Sequence, residues 1–352
     1  MRTVDLGRTG LQVSAIGLGC MTMSEFFGPV DRDDAFATLR KAADLGVNFL
    51  DTSDLYGVGS TNEKFLGEYL KTADRDQIVL ATKFGAVRDP ETGAMRQLRG
   101  DAEYVREACD ASLKRLGVDH IDLYYLHHPD PKTPIGETVA AMAELVKAGK
   151  VRHLGLSNIS ADELREGHRA HPIAAVQQDW SLFTRSIEES VAPACAELGV
   201  AVVPHSPLGR GFLTGVYTSR DGLAPDDYRR MIPRFADENA TRNAELLEPL
   251  RKIAAEHGAT LAQVALAWLI NQSGKLGVPV VPIPGTKRPG RVAENAGAVD
   301  VALSGAELAA LEPIAGQVQG GLLSGDQAPV LPVGQQVPQR GEQGDEHGEQ
   351  HH

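Results

Sequence analysis

The sequence has little of what marks a secreted, membrane-spanning or nucleic-acid-binding chain. Cysteine is scarce: Cys20, Cys109 and Cys195 are the only three in 352 residues, and none has CxxC or other ligand spacing. An odd, scattered set argues against a disulfide framework and suits a reducing compartment. No apolar run approaches the roughly 20 residues that a membrane helix needs. The opening "MRTVDLGRTG" lacks the apolar core of a signal peptide. Positive charge is in deficit, 35 Lys and Arg against 47 Asp and Glu, and a formal charge of −12 disfavours general affinity for nucleic acid or acidic lipid. These absences predict a soluble, cytoplasmic protein.

What remains is a globular composition, 42% hydrophobic and 23% charged, long enough for two average domains or one large barrel. A polar start that can form a small hairpin (Val4 to Val13) leads into alternating strand-like and helix-like segments. The strand candidates are "AIGLGCM", "NFLDTS", "IVLATKF", "IDLYYLHH", "VRHLGLSN", "AAVQQDW", "VAVVPHSP" and "VVPIPG". They are short and apolar, and most are rich in branched residues, as strands covered on both faces should be. Between them lie segments of helical period. In "DRDDAFATLRKAADLG", Ala35, Leu39, Ala42 and Ala43 share a face, and Gly46 is a natural stop. Ser60/Glu63, Ser160/Glu163 and Ser304/Glu307 each read as a capping box, which assigns Glu63 to a helix cap rather than to catalysis.

Eight such alternations without a break in composition predict a (β/α)8 barrel over residues 1–316. A doubly wound sheet would place GxGxxG directly after its first strand, and "CMTMSEFFGP" stands there instead. The long connection 214–240 has the length of a lid. From about Gly316 the chain turns rich in Gly, Gln and Pro, then Glu and His, so 317–352 reads as a low-complexity tail unable to bury a core.

In a barrel the C-terminal strand ends converge on one mouth. Here they carry Asp51, Lys83, His127, Ser157 with Asn158, Gln177, His205 with Ser206, and Gly285 with Thr286. Each alone has an ordinary structural reading: a turn cap, a snorkelling lysine, a satisfied core histidine. Jointly they make a poor structural set, because a buried Lys and Asp are costly unless they pair. If they pair, Tyr56, five residues past Asp51, is the natural beneficiary. A free phenol is a weak acid with a pKa near 10, and an adjacent ammonium eases its loss of a proton. His127 would orient a substrate oxygen by a hydrogen bond. Such a site protonates a developing alkoxide, as carbonyl reduction by hydride transfer requires.

The stretches "GVNFLDTSDLYGVGSTNEKFLGEYL", "LATKF", "DLYYLHH", "HLGLSN", "SPLGRGFLTG" and "IPGTKRPGRVAEN" resemble those of aldo-keto reductases, from about residue 3 to 316. The "GCMTMSEFFGP" loop is similar to that of bacterial and plant members acting on aryl or other small aldehydes. The resemblance implies a catalytic tetrad of Asp51, Tyr56, Lys83 and His127. It also implies that Ser157, Asn158 and Gln177 hold the nicotinamide carboxamide, and that Ser206, Leu208 and Arg210 follow the pyrophosphate. His205 stands where many relatives carry an aromatic residue that stacks on the nicotinamide, and imidazole stacks more weakly. Gly285, Thr286, Lys287 and Arg291 belong to the stretch "GTKRPGR", which also holds Arg288 and opens a helix. Its three cations suit the ribose 2′-phosphate of NADPH, with Glu294 and Asn295 matching adenine-contacting positions.

The expected substrate pocket comprises Met21, Met23, Phe26, Phe27 and Trp180, an apolar set that favours an apolar or aromatic aldehyde over a sugar phosphate. No metal site is expected. Two rival readings remain. One is a cofactor-binding regulatory protein resembling potassium-channel β subunits. The other is a metal-dependent barrel hydrolase using Asp51, His127 and His205, although the chain lacks an HxH pair after the first strand.

Overall fold

Segments that are apolar on both faces become the inner wall of the molecule. The computed structural model describes residues 1–24, 27, 30–225 and 227–322. Phe26 and residues 323–352, the greater part of the expected tail, lie outside the described residues. Strands β1 (Thr3–Asp5) and β2 (Gln12–Ser14) pair antiparallel as the expected hairpin. The wall itself is built from β3 (Leu18–Gly19), β4 (Phe49–Asp51) and β5 (Val79–Phe84), and, past a small hairpin of β6 (Ala86–Arg88) and β7 (Met95–Leu98), from β8 (Ile121–Leu126), β9 (Val151–Ser157), β10 (Ile173–Asp179) and β11 (Ala201–His205). The seven wall strands run parallel in the order β11-β10-β9-β8-β5-β4-β3.

The eighth candidate, "VVPIPG", closes the ring without forming a regular strand. Val281 and Ile283 donate to the carbonyls of Val202 and Pro204 on the β11 side. On the β3 side Pro282 and Pro284 have no N–H to give and only accept, from Gly17 and Gly19. Prolines at alternate positions therefore leave a half-populated ladder, seen as bridges between Val202 and Val280 and between Gly19 and Gly285. The fold is a (β/α)8 barrel whose last seam is proline-thinned.

The two-residue period sorts side chains cleanly. Leu123 and Tyr125 of β8 face the barrel interior with Phe49, Val79, Ala81, Ala175, Val203 and Val281, whereas Tyr124 and Leu126 face the helices. Gly155 pairs with Tyr125 on the neighbouring strand, and a Cβ there would sit 2.4 Å from the ring that lies over it. Leu6 and Val13 of the first hairpin join this inner core and plug the end opposite the mouth.

Helices α1 (Arg32–Asp44), α2 (Thr61–Leu70), α3 (Ala102–Leu116), α4 (Ile135–Lys147), α5 (Ala161–Ala170) and α6 (Val191–Leu198) surround the wall, joined by α7 (Asp237–Glu245), α8 (Glu248–His257), α9 (Leu261–Leu276), α10 (Pro289–Ala296) and α11 (Gly305–Leu311). On α1 the buried face is Ala35, Thr38, Leu39 and Ala42, while Ala43 is exposed, and Gly46 follows the helix at φ +73°. The capping boxes at Ser160/Glu163 and Ser304/Glu307 form, and Thr260/Gln263 adds a third. The box expected at Ser60 does not. Ser60 is left-handed (φ 56°) and makes no side-chain cap, and Glu63 is fully buried, accepting from Thr82 Oγ1 at 2.6 Å and Arg115 Nε at 2.6 Å.

Two further elements escape a sequence reading. The β6–β7 hairpin comes from the polar stretch 86–98, which has no strand-like apolar run. Past Gly316 the described chain stays fastened to the barrel: Asn243 exchanges two hydrogen bonds with the main chain of Gln319, and Arg234 Nε donates to Gly320 O. No single described helix is long and apolar enough to cross a membrane.

Candidate active site

Because the wall strands run the same way, their C-terminal ends deliver polar side chains to one mouth. Asp51 ends β4 and Lys83 is the penultimate residue of β5, both almost wholly excluded from solvent. Lys83 Nζ lies 2.5 Å from Asp51 Oδ1, 2.8 Å from Thr52 O and 3.1 Å from Tyr56 Oη. Asp51 Oδ2 accepts from Gln177 Nε2 at 2.8 Å. Burial works against the Lys83 ammonium, yet the charges and hydrogen bonds of Asp51 and Tyr56 outweigh it and hold its pKa above the ordinary value. The lysine is a fixed cation beneath the Tyr56 hydroxyl.

His127 follows β8 and stands edge-on to the Tyr56 ring, with centroids 5.9 Å apart. Its Nδ1 is 3.1 Å from Ser53 Oγ. Burial, then the charges of His128, Lys83 and His205, push its pKa well below the ordinary value. Burial likewise lowers His128 to about 4 and His205 to about 3. At neutral pH the mouth therefore carries three uncharged imidazoles over one buried ammonium.

Asp51, Tyr56, His127 and His128 line a cavity of about 470 Å³, with Lys83 buried beneath its wall. Along it lie Asn158, Gln177, His205, Ser206, Leu208, Arg210, Gly285, Thr286, Lys287, Arg291, Glu294 and Asn295, which the sequence offers as cofactor-binding candidates. Ser157 is the exception: it is buried on the interior face of β9 beside Gln177 without lining the cavity, and its hydroxyl accepts from Asn158 Nδ2 at 3.2 Å. Among the described residues four non-glycines have positive φ, and three of them, Asn158, Ser206 and Arg210, line this cavity. Strained backbone gathered in one place marks a site under functional constraint. Arg210 Nε is buried there without a hydrogen-bond partner among the described residues.

The donor set changes along the cavity. Neutral amides (Asn158, Gln177) flank Tyr56, and at the far end Lys287, Arg288 and Arg291 gather where α10 begins. An elongated ligand with a polar neutral head and an anionic tail fits that gradient, and the unpaired Arg210 nitrogen fits an anionic middle. A nicotinamide dinucleotide has this make-up.

The expected substrate residues divide. Met21 and Phe27 line the cavity, and Phe26 lies outside the described residues. Met23 instead packs in the core shared by α1 and α2, with 3% exposure. Trp180 turns outward from the end of β10, stacks edge-on against Trp268 at 6.2 Å and donates Nε1–H to Glu188. Both are core residues: Trp180, just past the end of β10, is turned by strand register to the helix layer, and Met23 closes the 3-10 turn Met21–Met23, which buries it against α1 and α2.

His128 also lines the mouth, stacked on His127 at 4.8 Å. Sequence reasoning left several other liners unremarked, among them the charged pair Asp227 and Arg229 in the long connection. Arg229 is clamped on Asp227 through Nε (2.9 Å) and Nη2 (2.7 Å), and Nη1 reaches Arg210 O at 3.1 Å. Its guanidinium lies 4.3 Å from the Tyr217 ring and 5.1 Å from that of Phe27. The connection is thus pinned across the cavity to the loop after β3. The only signal was an Asp–Arg pair two residues apart. Asp51, His127 and His205 do not form a metal-holding group among the described residues.

Comparison with known proteins agrees with this geometry. Residues 15–315 match the aldo/keto reductase family. Among solved structures, the chain is similar to the glycerol dehydrogenase AKR11B4 from Gluconobacter oxydans, with 29% identity, 93% of this chain and 99% of that one covered, and a TM-score of 0.78. The aldo-keto reductase AKR11C1 from Bacillus halodurans, in its holo form, gives 29%, 92%, 98% and 0.73. The thermostable aldo-keto reductase Tm1743, in complex with the inhibitor epalrestat, gives 28%, 89%, 100% and 0.69.

Proposed function

This chain belongs to the aldo/keto reductase family, oxidoreductases that act on carbonyl substrates with nicotinamide cofactors, and on that premise we propose that it is a cytoplasmic, NADPH-dependent reductase of small aldehydes with Tyr56 as the proton donor. The observation that carries the reading is the buried chain Asp51–Lys83–Tyr56 opening into the cavity beside His127. A nicotinamide held by Asn158, Gln177 and His205 would supply hydride to the carbonyl carbon. Tyr56 Oη gives its proton to the carbonyl oxygen as negative charge builds there. The Lys83 ammonium, fixed by Asp51, stabilises the charge left on the phenol oxygen. His127, uncharged, holds the carbonyl oxygen by a hydrogen bond. His205 is uncharged as well, so it offers the nicotinamide a flat face without repelling its oxidised, cationic form.

Preference for NADPH rests on the far end of the cavity. Of its cations, Arg291 is paired with Glu294 at 2.5 Å, and Lys287 donates to Phe27 O at 2.8 Å. Arg288 is exposed and has no ion pair among the described residues. A 2′-phosphate there gains charge-assisted bonds of about 1.5–3 kcal/mol each, or about 10- to 100-fold in affinity. Arg288→Ala and Lys287→Ala should each raise the Kd for NADPH by about that factor and leave the Kd for NADH nearly unchanged. Equal wild-type affinity for both cofactors, with no loss in either variant, would remove the preference. Met21 and Phe27 supply the apolar side of the mouth and support an apolar or aromatic aldehyde as substrate.

The reading is tested by following NADPH oxidation by the purified protein with 4-nitrobenzaldehyde. Steady turnover is expected. Bound cofactor with no turnover on any aldehyde would favour a regulatory partner protein instead.

A further inference from the structure

Ser53, the third residue of "DTS", is fully buried behind the tetrad, and nothing in the reaction as read above uses it. We propose that Ser53 is a positioning residue: its hydroxyl donates to Nδ1 of His127 and thereby keeps the imidazole proton on Nε2, the nitrogen left to meet the carbonyl oxygen. The inference rests on the reading of His127 as the group that orients the carbonyl.

A serine hydroxyl has one proton to give and can accept two. Ser53 Oγ accepts the main-chain N–H of Leu55 at 3.1 Å. Three acceptors surround its own proton: His127 Nδ1 at 3.1 Å, Lys83 O at 3.4 Å and Asp54 Oδ1 at 3.5 Å. Lys83 O already receives Asp54 N–H at 3.1 Å, and the Asp54 contact is at the limit of a hydrogen bond. The histidine nitrogen is the closest acceptor and takes the proton.

The ring is not free to turn away. His127 N–H is bound to Phe84 O at 2.8 Å, and its carbonyl receives Asn158 Nδ2 at 3.0 Å. His128 stacks on one face at an interplanar angle of 17°, and Tyr56 stands against it at 86°. The uncharged imidazole has one ring proton, so only the tautomer is left to decide. With the proton on Nε2 the ring donates to a carbonyl oxygen. With it on Nδ1 a lone pair faces a lone pair, and attraction becomes repulsion. A single buried hydroxyl selects between the two, as the orienting group of a catalytic histidine does.

The test is nitrogen NMR of protein labelled with 15N-histidine, with the His127 signals assigned by their loss in His127→Gln. The wild type should show a protonated Nε2 and a bare Nδ1 near neutral pH. Ser53→Ala should lose that single form, and its kcat should fall roughly tenfold with an unchanged Kd for NADPH. Ser53→Thr, which keeps the hydroxyl, should keep the wild-type tautomer. A wild-type His127 protonated on Nδ1, or an Nε2–H form that persists in Ser53→Ala, overturns the proposal. The wild-type spectrum decides even if Ser53→Ala does not fold. Normal turnover in Tyr56→Phe or His127→Gln would count against the reading of the site, and the tautomer spectrum does not depend on that outcome.

Discussion

Replacing Lys83 with methionine is expected to lower kcat by about 10²- to 10⁴-fold, the usual range for losing a group that supports acid–base chemistry. The same change should also destabilise the protein, for a separate reason. Asp51 is 2% exposed, and without Lys83 its carboxylate keeps, among the described residues, only the 2.8 Å bond from Gln177. An uncompensated buried charge of this kind costs about 3–5 kcal/mol. Burial already raises the Asp51 carboxyl, with Lys83 and Gln177 pulling it down, so losing Lys83 raises it further above its unfolded value of about 3.9. A carboxyl raised in the folded state favours folding when protonated. The deficit of Lys83→Met relative to wild type should therefore be full above that raised pKa and shrink as pH falls towards 4. Thermal melts from pH 4 to 8 would show it. The double variant Asp51→Asn/Lys83→Met should recover most of the stability and none of the turnover. Recovery of turnover would mean that the lysine serves only as a counter-ion.

The second large effect lies away from the reaction. Arg115→Ala should cost about 3–5 kcal/mol and lower Tm by on the order of 10 °C. Glu63 has no solvent access, and Arg115 Nε at 2.6 Å is its only cation among the described residues. Thr82 alone would then face the charge. Arg115→Ala/Glu63→Gln should restore most of the loss, because an amide removes the charge and still accepts the Thr82 hydroxyl. In both variants kcat should stay within a few-fold of wild type, since the pair touches none of Asp51, Tyr56, Lys83 and His127. A Tm change under about 2 °C in Arg115→Ala would mean that Glu63 is not the buried charge described here.

Glu63 also shows where sequence reasoning stops. Spacing three residues after a serine predicts a cap, and at Ser160 and Ser304 it predicts correctly. At Ser60 the turn enters the helix left-handed, and a partner 52 residues away claims the carboxylate. No local pattern records a contact of that range. The wall strands were legible because burial on both faces leaves an apolar run of strand length, as in "IDLYYL". The last one was legible as a segment but not as a strand, since Pro282 and Pro284 remove the donors that a regular ladder needs. That Asp51, Lys83 and His127 would come together was legible because charge at the end of an apolar run is anomalous, whereas Tyr56, set off the strand in a loop, joined the candidate group through the family resemblance. Trp180 and Met23 were misread for the opposite reason. Apolar side chains near a mouth carry no mark of which way they point, and strand register for Trp180 and the 3-10 turn after β3 for Met23 set them in the core.

The measurement that bears most directly on the account is turnover and cofactor binding in Tyr56→Phe. The substitution removes one oxygen and keeps the ring that packs against His127. The account predicts that NADPH binds with wild-type affinity while aldehyde reduction falls by at least about 10²-fold. Equal rates in the two proteins, with equal binding, would show that the proton comes from elsewhere and that the Asp51–Lys83–Tyr56 chain is not the acid.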